Sequence, residues 1–217
     1  MSHIMKFGGI VLCGGRSSRM GLPKATLPFG PEQMLQRVVR LLGEAVSPIV
    51  VVASPSQELP NVSDDVIIAR DEREDRGPLQ GLAAGLAAIK QRADAAYVTS
   101  CDVPLLVPEF VSRMCDLLAE HDLVVPKENQ YHHPLAAVYR TSLLPQIQDL
   151  LAANRMRLIF LFENSDTLEV PVEQLRAIDP ELATLANLNS PSDYTAALRQ
   201  ANFQPDPEIL AQLKSGD

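Results

Sequence analysis

Short apolar runs alternate along the chain with longer stretches in which apolar residues recur every three or four positions. The short runs predict buried β-strands, and the periodic stretches predict amphipathic helices. Strands are predicted at residues 7–13, 48–53, 65–69, 95–101, 123–125, 134–140 and 167–170. Helices are predicted at residues 31–46, 78–92, 108–120, 142–153, 157–163 and 191–200.

This alternation indicates an α/β fold. Strands that are apolar throughout, rather than on one face only, are typical of a parallel sheet covered by helices on both sides. We therefore expect a single-domain, three-layer, Rossmann-like fold with a mostly parallel, doubly wound sheet. With 217 residues the chain has the length of one domain. That domain is predicted at residues 1–201, and residues 202–217 are predicted to form a C-terminal tail with one weak helical stretch.

The composition narrows the classes of function. Hydrophobic residues make up 46% of the chain and charged residues 21%, which excludes intrinsic disorder. The net charge of −8 leaves no basic surface over the whole chain for nucleic acid. The charge is nevertheless polarised, because Lys6, Arg16, Arg19 and Lys24 precede every one of the 27 acidic residues. The N-terminal part can therefore attract an anionic ligand.

Cysteine usage and hydropathy indicate the cellular compartment. The three cysteines, Cys13, Cys101 and Cys115, show no C-x-x-C spacing, so we expect neither a disulfide framework nor a zinc site. No uninterrupted apolar run exceeds five residues, so no segment is expected to span a membrane. Together these observations favour a cytoplasmic protein in a reducing environment.

A cationic, glycine-rich segment directly follows the first predicted strand. Gly14 and Gly15 permit close approach of the backbone to a ligand. Arg16, Arg19 and Lys24 supply positive charge with no acidic residue among them, which favours a phosphate-binding loop. The spacing is not that of a P-loop. The alternative interpretation is a solvated surface loop with incidental cations.

Two aspartates follow predicted strands. Asp102 comes directly after the strand at residues 95–101, where it is well placed as a Mg²⁺ ligand, since Mg²⁺ prefers one or two carboxylates together with phosphate oxygens and water. Asp71 follows the strand at residues 65–69 and is a candidate to share the metal or contact a ribose. The alternatives are a turn or helix-capping role for Asp102 and a solvated, mixed-charge loop around Asp71.

A second glycine-rich segment opens the helix predicted at residues 78–92. Gly81 and Gly85 are four residues apart and therefore lie on one helix face. Glycine at both positions indicates that another backbone or a planar ligand lies close to this face. Gly85 is best explained by packing of the helix on a strand. Gly81 lies in the first turn, where ligand contact is plausible, and Gly77 and Pro78 can present backbone groups to a base edge.

Five segments carry a family resemblance when they are taken together. They are LCGGRSSRMGLPKA (12–25), GPLQGLAAGL (77–86), SCDVPLL (100–106), HPLAAVYR (133–140) and NLNSPSDY (187–194). In this order they resemble the molybdenum cofactor guanylyltransferases, a branch of the nucleotidyltransferases. The resemblance implies Mg²⁺-dependent transfer of GMP from GTP to the terminal phosphate of molybdopterin, with release of pyrophosphate. It also implies transient contact with molybdoenzymes or other proteins of cofactor synthesis.

The same resemblance assigns roles to individual residues. The catalytic residues it implies are Lys24, Arg19 and Asp102, and the metal ligands are Asp102 and Asp71. The nucleotide-binding residues it implies are Leu12, Cys13, Gly14, Gly15, Lys24, Asp71, Gly77, Pro78, Leu79 and Gly81. The residues it places on the pterin side of the cleft are His133, Asn187, Asn189, Arg155 and Arg157. An ionised acceptor phosphate needs no general base, so charge neutralisation and positioning suffice for the reaction.

The sequence leaves two other functions open. Pro23 before Lys24 is a form that also occurs in cytidylyl relatives, and the strand at residues 48–53 ends in Ala53 and Ser54 where the family often has Asn. Cytidylyl transfer to molybdopterin, or to another small phosphorylated acceptor, is therefore the alternative. Gly14 followed by Gly15 favours GTP, as does the Gly-Pro-Leu-x-Gly helix start. The remote alternative is a non-catalytic module that binds the cofactor.

Overall fold

The predicted strands and helices form one α/β unit in the computed structural model, which describes residues 4–14, 20–71 and 76–213. The strands are β1 (Phe7–Leu12), β2 (Pro28–Phe29), β3 (Glu32–Gln33), β4 (Ile49–Ala53), β5 (Ile67–Arg70), β6 (Ala95–Ser100), β7 (Leu123–Glu128), β8 (Tyr131–His132), β9 (Ala137–Arg140) and β10 (Thr167–Pro171). The helices are α1 (Met34–Gly43), α2 (Pro78–Ile89), α3 (Pro108–Leu117), α4 (Leu144–Ala152), α5 (Ile159–Phe162), α6 (Pro191–Gln200) and α7 (Pro207–Gln212).

The main sheet has the strand order β10-β7-β9-β6-β1-β4-β5, and β8 pairs with β7 beside this path. Strands β6, β1, β4 and β5 are parallel to one another, and β10 is parallel to β7. Only β9 interrupts this path, because it runs antiparallel to both β6 and β7. The prediction of a mostly parallel sheet in an α/β domain is therefore confirmed.

Each face of the sheet is covered by its own apolar cluster, as the continuously apolar strands predicted. Along β1, Ile10 and Leu12 face the helices α2 and α4, whereas Val11 faces α1 and α3. Ile10 and Val11 are fully buried. Burial on both faces explains why these strands carry no polar alternation.

A third apolar cluster lies outside the sheet and includes the C-terminal tail. Phe203 packs edge-on against Phe29, with ring centroids 5.8 Å apart and an interplanar angle of 89°. Met20, directly after residues 15–19, is fully buried in this cluster, and Leu213 of the tail is buried there too. The tail residues 202–213 therefore pack on the segment that leads to Lys24.

Two predicted elements begin three residues later in the structure than expected. The helix predicted at residues 31–46 begins at Met34, because Glu32 and Gln33 pair with β2 in a small two-stranded sheet. The strand predicted at residues 134–140 begins only at Ala137, since a turn closed by the hydrogen bond from Ala136 N to the His133 carbonyl precedes it.

All three cysteines are free and buried, which agrees with the expectation of no disulfide framework. Within the described residues, every helix is too short or too polar to cross a bilayer.

The glycines of α2 differ in the space available to a side chain. A Cβ at Gly85 would come within 2.6 Å of Ile10 Cγ2, whereas a Cβ at Gly81 would approach the terminal Leu12 Cδ2 only to 3.3 Å. Ile10 is fully buried and β-branched, so it has little freedom to move away. Close packing of helix on strand therefore accounts for Gly85, as predicted.

We expect Gly85→Ala to lower the free energy of unfolding by about 1–2 kcal/mol, because overpacking against Ile10 exceeds the gain in helix propensity. Gly81→Ala is the matched control in the same helix and should stay within about 0.5 kcal/mol of wild type. Urea unfolding of the three proteins measures both changes. Equal stabilities of the two variants would contradict the packing explanation.

Candidate functional site

The carboxyl ends of β1, β4 and β6 open onto one cleft of about 860 Å³. The sheet register brings these ends together, because Leu12 is paired with Val52 on one side and with Ser100 on the other. A cleft of this size suits a small-molecule ligand. The predicted site residues that line it are Leu12, Cys13, Gly14, Lys24, Asp71, Gly77, Pro78, Gly81 and Asp102.

A second cavity, of about 580 Å³, lies between α1 and the loop at residues 61–66. Of the residues predicted to carry chemistry that the structure describes, none lines this cavity. The functional site is therefore assigned to the cleft at the strand ends, which is also where open α/β sheets bind their ligands.

Lys24 and Asp102 form an ion pair in the cleft. Lys24 Nζ lies 2.6 Å from Asp102 Oδ2, and the two side chains are only 17% and 13% exposed. The second carboxylate oxygen, Asp102 Oδ1, accepts a hydrogen bond from Ser100 Oγ at 2.5 Å. Lys24 begins a short 3-10 turn directly after Pro23, whose ring restricts the backbone that presents the ammonium.

A second acceptor of Lys24 brings Asn189 into this centre. Lys24 Nζ donates a hydrogen bond to Asn189 Oδ1 at 3.0 Å. The preceding residue is attached to the end of β6, because Leu188 N donates to the Asp102 carbonyl at 2.9 Å. The resemblance placed Asn189 on the pterin side, and in this structure its amide oxygen also contacts Lys24. Asn187 lies two residues earlier and is exposed.

Two residues that shape the cleft wall beyond β4 were missed by sequence analysis. Gln57 Nε2 donates to the Cys13 carbonyl at 3.0 Å, and Gln57 Oε1 accepts from Ser54 N at 3.3 Å. Arg70 Nη1 donates to the carbonyls of Ser54 and Gln57, each at 2.9 Å. Gln57 belongs to no motif, whereas Arg70 could have been suspected because it stands directly before Asp71.

The start of α2 forms another wall of the cleft. Gly77 precedes the helix with φ of +73°, in the left-handed region that favours glycine. Pro78 occupies the first turn, where its missing N–H leaves no carbonyl unpaired. Arg76 also lines the cleft and donates to the Leu151 carbonyl at 3.2 Å, which connects this wall to the end of α4.

The donor set of the cleft fits Mg²⁺ that is bound together with a nucleotide. Asp102 and Asp71 both line the cleft. No group of three or more His, Cys, Asp or Glu side chains in residues 4–14, 20–71 and 76–213 is arranged to hold a metal ion. Mg²⁺ is usually bound by one or two carboxylates, with phosphate oxygens and water completing its octahedron, so two aspartates are sufficient.

Two thiols lie at the floor of the cleft. Cys13 and Cys101 follow adjacent strands and both line it. A hydrogen bond between the Cys13 and Cys101 side chains, in which the Cys13 thiol is the donor, and then burial raise the pKa of the Cys13 thiol well above its usual range. A protonated, buried thiol is a poor nucleophile, so the structure favours a packing role for Cys13.

Comparison with known proteins identifies the family. Residues 9–168 match the family model described as the MobA-like NTP transferase domain. The chain belongs to this family. It is 38% identical over 201 residues to the probable molybdenum cofactor guanylyltransferase of Mycobacterium avium, which covers 90% of this chain and 97% of the relative. The corresponding protein of Methanosarcina mazei is 32% identical over 195 residues, or 85% of this chain and 86% of the relative.

Solved structures share the fold of this MobA-like transferase. Molybdopterin-guanine dinucleotide biosynthesis protein A from Archaeoglobus fulgidus superposes with a TM-score of 0.74 over 91% of this chain and 99% of that one, at 22% identity. A cytidylyltransferase from Leptospira borgpetersenii superposes with a TM-score of 0.67 over 96% and 92% of the two chains, at 18% identity. These likenesses show the fold, and the match to the MobA-like NTP transferase family identifies the chain as a nucleotidyltransferase.

One residue predicted to contact the nucleotide, Leu79, does not line the cleft of this MobA-like transferase. Leu79 is fully buried in the apolar cluster between the sheet and α2, so its side chain packs in the core instead of facing the cleft. Gly15 and Arg19 lie outside the described residues, together with Arg16.

The predicted basic residues of the pterin side lie beyond the end of α4. Arg155 stacks on Phe160, with its guanidinium carbon 4.0 Å from the ring centroid. Arg157 is exposed two residues later. Neither residue lines the cleft itself, but Arg76 contacts the end of α4 from the cleft wall.

His133 is partly buried close to the cleft-lining Leu135. Burial lowers the pKa of its imidazole, an effect that the nearby Glu128 carboxylate opposes and His132 reinforces. Its buried Nε2 atom has no hydrogen-bond partner among residues 4–14, 20–71 and 76–213, and Glu128 Oε2 is 3.9 Å away, which is too far for a hydrogen bond. The folded protein therefore favours the neutral imidazole.

This lowered pKa predicts a pH dependence of stability. An unfolded histidine takes up its proton near pH 6.5, and folded His133 does so at lower pH, so stability is lost as pH falls below about 6.5. We expect His133→Gln to lose less stability than wild type between pH 7 and pH 5. Urea unfolding at several pH values measures the two slopes, and identical slopes would contradict the prediction.

Proposed function

We propose that this MobA-like transferase moves GMP from GTP to the terminal phosphate of molybdopterin, with Mg²⁺, and releases pyrophosphate. The observation that carries the proposal is the Lys24–Asp102 pair, which places a cation and a candidate metal ligand 2.6 Å apart in the cleft. Relatives named molybdenum cofactor guanylyltransferase, 32–38% identical to this chain, support GTP and molybdopterin as the substrates.

The reaction requires positioning and charge neutralisation. An oxygen of the acceptor phosphate forms a bond to the α-phosphorus, while the bond from that phosphorus to the bridging oxygen breaks and its electron pair leaves with pyrophosphate. Lys24 neutralises charge that develops on the α-phosphate oxygens. Asp102, with Asp71, would hold Mg²⁺, which supplies further charge neutralisation on the phosphates. The ionised acceptor loses no proton in this step, so no side chain needs to act as a base.

Ligand binding exchanges the partners of the ion pair. In the free protein, Lys24 and Asp102 neutralise each other in a partly buried place, where a charge without a partner is costly. With a triphosphate and its accompanying cation bound, Lys24 would be paired with phosphate and Asp102 with the cation. Neither side chain would then be left without a partner.

The cleft wall at α2 is the proposed contact for the base. Gly77 and Pro78 expose backbone at the cleft surface, and Gly81 leaves this wall without a side chain next to Leu12. Guanine offers both hydrogen-bond donors and acceptors on its edge, which such backbone groups can match. Cytidylyl transfer is the second candidate, and it is distinguished by the nucleotide that binds most tightly.

We expect GTP with Mg²⁺ to raise the melting temperature more than CTP, ATP or UTP at equal concentration. A ligand at a hundred times its Kd adds about 2.7 kcal/mol to stability by mass action. Thermal unfolding followed by dye fluorescence measures the shifts. A larger shift with CTP than with GTP would rule out the guanylyl assignment and favour the cytidylyl alternative.

We expect Lys24→Ala and Asp102→Asn each to lower kcat at least about a hundredfold, since each removes a charge that acts on the transferred phosphoryl group. Arg176→Ala is the control, because Arg176 forms an exposed ion pair with Glu173 at 2.9 Å and does not line the cleft. Pyrophosphate release from GTP with molybdopterin as acceptor provides the rate. Unchanged turnover in the Lys24 and Asp102 variants would exclude the proposed chemistry.

A further inference from the structure

Asp193, in the first turn of α6, is hydrogen-bonded to the backbone of Asn189, the residue that contacts Lys24. Asp193 Oδ2 accepts hydrogen bonds from Asn189 N at 3.0 Å and from Ser190 N at 2.9 Å. In return, Asp193 N donates to Ser190 Oγ at 3.2 Å, which completes a capping box at the start of the helix. The Asp193 carboxylate, which does not line the cleft, thus contacts Asn189, and Asn189 in turn contacts Lys24.

We propose that Asp193 is a positioning residue that acts through Asn189 to hold the Lys24 ammonium for nucleotidyl transfer. This inference rests on the proposed role of Lys24 in that reaction. The chain of contacts runs from the Asp193 carboxylate to the Asn189 backbone, and from the Asn189 amide oxygen to Lys24 Nζ. Among the described residues, the Asp193 carboxylate bonds to the backbone of Asn189 and Ser190 and does not line the cleft, so its effect on Lys24 is indirect.

The segment that carries Asn189 is fixed on both sides. Leu188 is buried and its N–H donates to the Asp102 carbonyl at 2.9 Å, while Asn189 and Ser190 are bound by the Asp193 carboxylate. Loss of the carboxylate would release only one of these attachments. The expected consequence is a displaced Asn189 side chain within an otherwise folded site.

The same helix also supports the turn that presents Lys24. Tyr194, the residue after Asp193, is buried, and its hydroxyl donates to the Pro28 carbonyl at 2.5 Å. Pro28 begins β2, four residues after Lys24. Helix α6 therefore contacts Asn189 through Asp193 and the segment that follows Lys24 through Tyr194, so a helix outside the sheet can influence the geometry of the hydrogen bond between Lys24 and Asn189.

Charge also couples Asp193 to this centre. Partial burial raises the pKa of Asp193, but hydrogen bonds from Asn189 and Ser190 and the positive charge of Lys24 outweigh burial and lower the pKa overall. The carboxylate is therefore ionised when it accepts the two backbone hydrogen bonds, and ionised acceptors form the stronger ones.

Asn189 gains importance once a ligand enters the cleft. Lysine is a flexible side chain, and its ammonium is directed by whatever acceptors surround it. If a metal ion were bound to Asp102, the Asn189 amide oxygen would remain as a hydrogen-bond acceptor for Lys24. Because this amide is neutral, it would leave the positive charge of Lys24 available to the phosphate. Asp193 keeps the Asn189 amide in place. Removal of the Asp193 carboxylate should therefore lower kcat more than it changes KM for the nucleotide.

The test compares Asp193→Ala with Asp206→Ala. Asp206 is the N-cap of α7, where its carboxylate accepts from Glu208 N at 2.8 Å, and within the described residues no hydrogen bond links it to Lys24 or Asn189. With the nucleotide that wild type uses best, we expect Asp193→Ala to lower kcat about tenfold and to change KM for the nucleotide less than about threefold. Asp206→Ala should change both by less than about twofold.

Rescue and coupling separate positioning from loss of the helix cap. Asp193→Glu keeps a carboxylate at the capping-box position, so it should restore kcat to within about threefold of wild type. In a Lys24→Ala background, Asp193→Ala should cause no further loss of kcat, because the group it positions is absent. An equal loss in both backgrounds, or an equal loss in Asp193→Ala and Asp206→Ala, would overturn the proposal.

A second measurement does not depend on the substrate. Acetic anhydride acylates exposed lysines, and mass spectrometry of the peptide containing Lys24 reports its rate in the free protein. We expect at least about a threefold faster reaction in Asp193→Ala than in wild type or Asp206→Ala, because Lys24 is held less firmly; equal rates would overturn the proposal. Absence of turnover with GTP and molybdopterin would refute the proposed function, whereas this labelling still decides the role of Asp193.

Discussion

The ion pair between Lys24 and Asp102 connects two parts of the chain that are 78 residues apart. It forms only because β1 and β6 are parallel neighbours in register, so that the segments following both strands reach the same end of the sheet. A partly buried charge is costly without its partner, so the fold and the charge pair depend on each other. Ser100 and Asn189 complete the arrangement by engaging the second carboxylate oxygen and the ammonium.

The site is also supported from outside the parallel sheet. The third apolar cluster joins Met20, Phe29 and Tyr194 to the tail residue Leu213, so the C-terminal segments pack against the chain on both sides of Lys24. The family model ends at residue 168, yet Asn189 contacts Lys24. A residue outside the sheet thus helps to set where the Lys24 ammonium lies, while the sheet determines where Asp102 lies.

The parts of the fold that depend on local pattern could be predicted from the sequence. Continuously apolar runs located β1 and β6 to within one residue at their carboxyl ends, and this placed Asp102 at a strand end. The antiparallel insertion of β9 could not be predicted, because strand direction depends on pairing between distant segments and leaves no periodicity. Gln57 was missed for a similar reason, since a lone glutamine gains its role only from the distant Cys13 carbonyl.

Motif resemblance located Asn189, but its hydrogen bond with Lys24 could not be predicted, because a motif records residue types without the partners of each atom. The structure gives Lys24 two acceptors of different charge, the Asp102 carboxylate and the Asn189 amide. The Asp102 carboxylate neutralises Lys24 only while no other cation is bound to that carboxylate. The Asn189 amide oxygen can accept a hydrogen bond from Lys24 whether or not such a cation is bound. A charged and a neutral acceptor together allow the ammonium to be kept in the cleft and still be available to a phosphate.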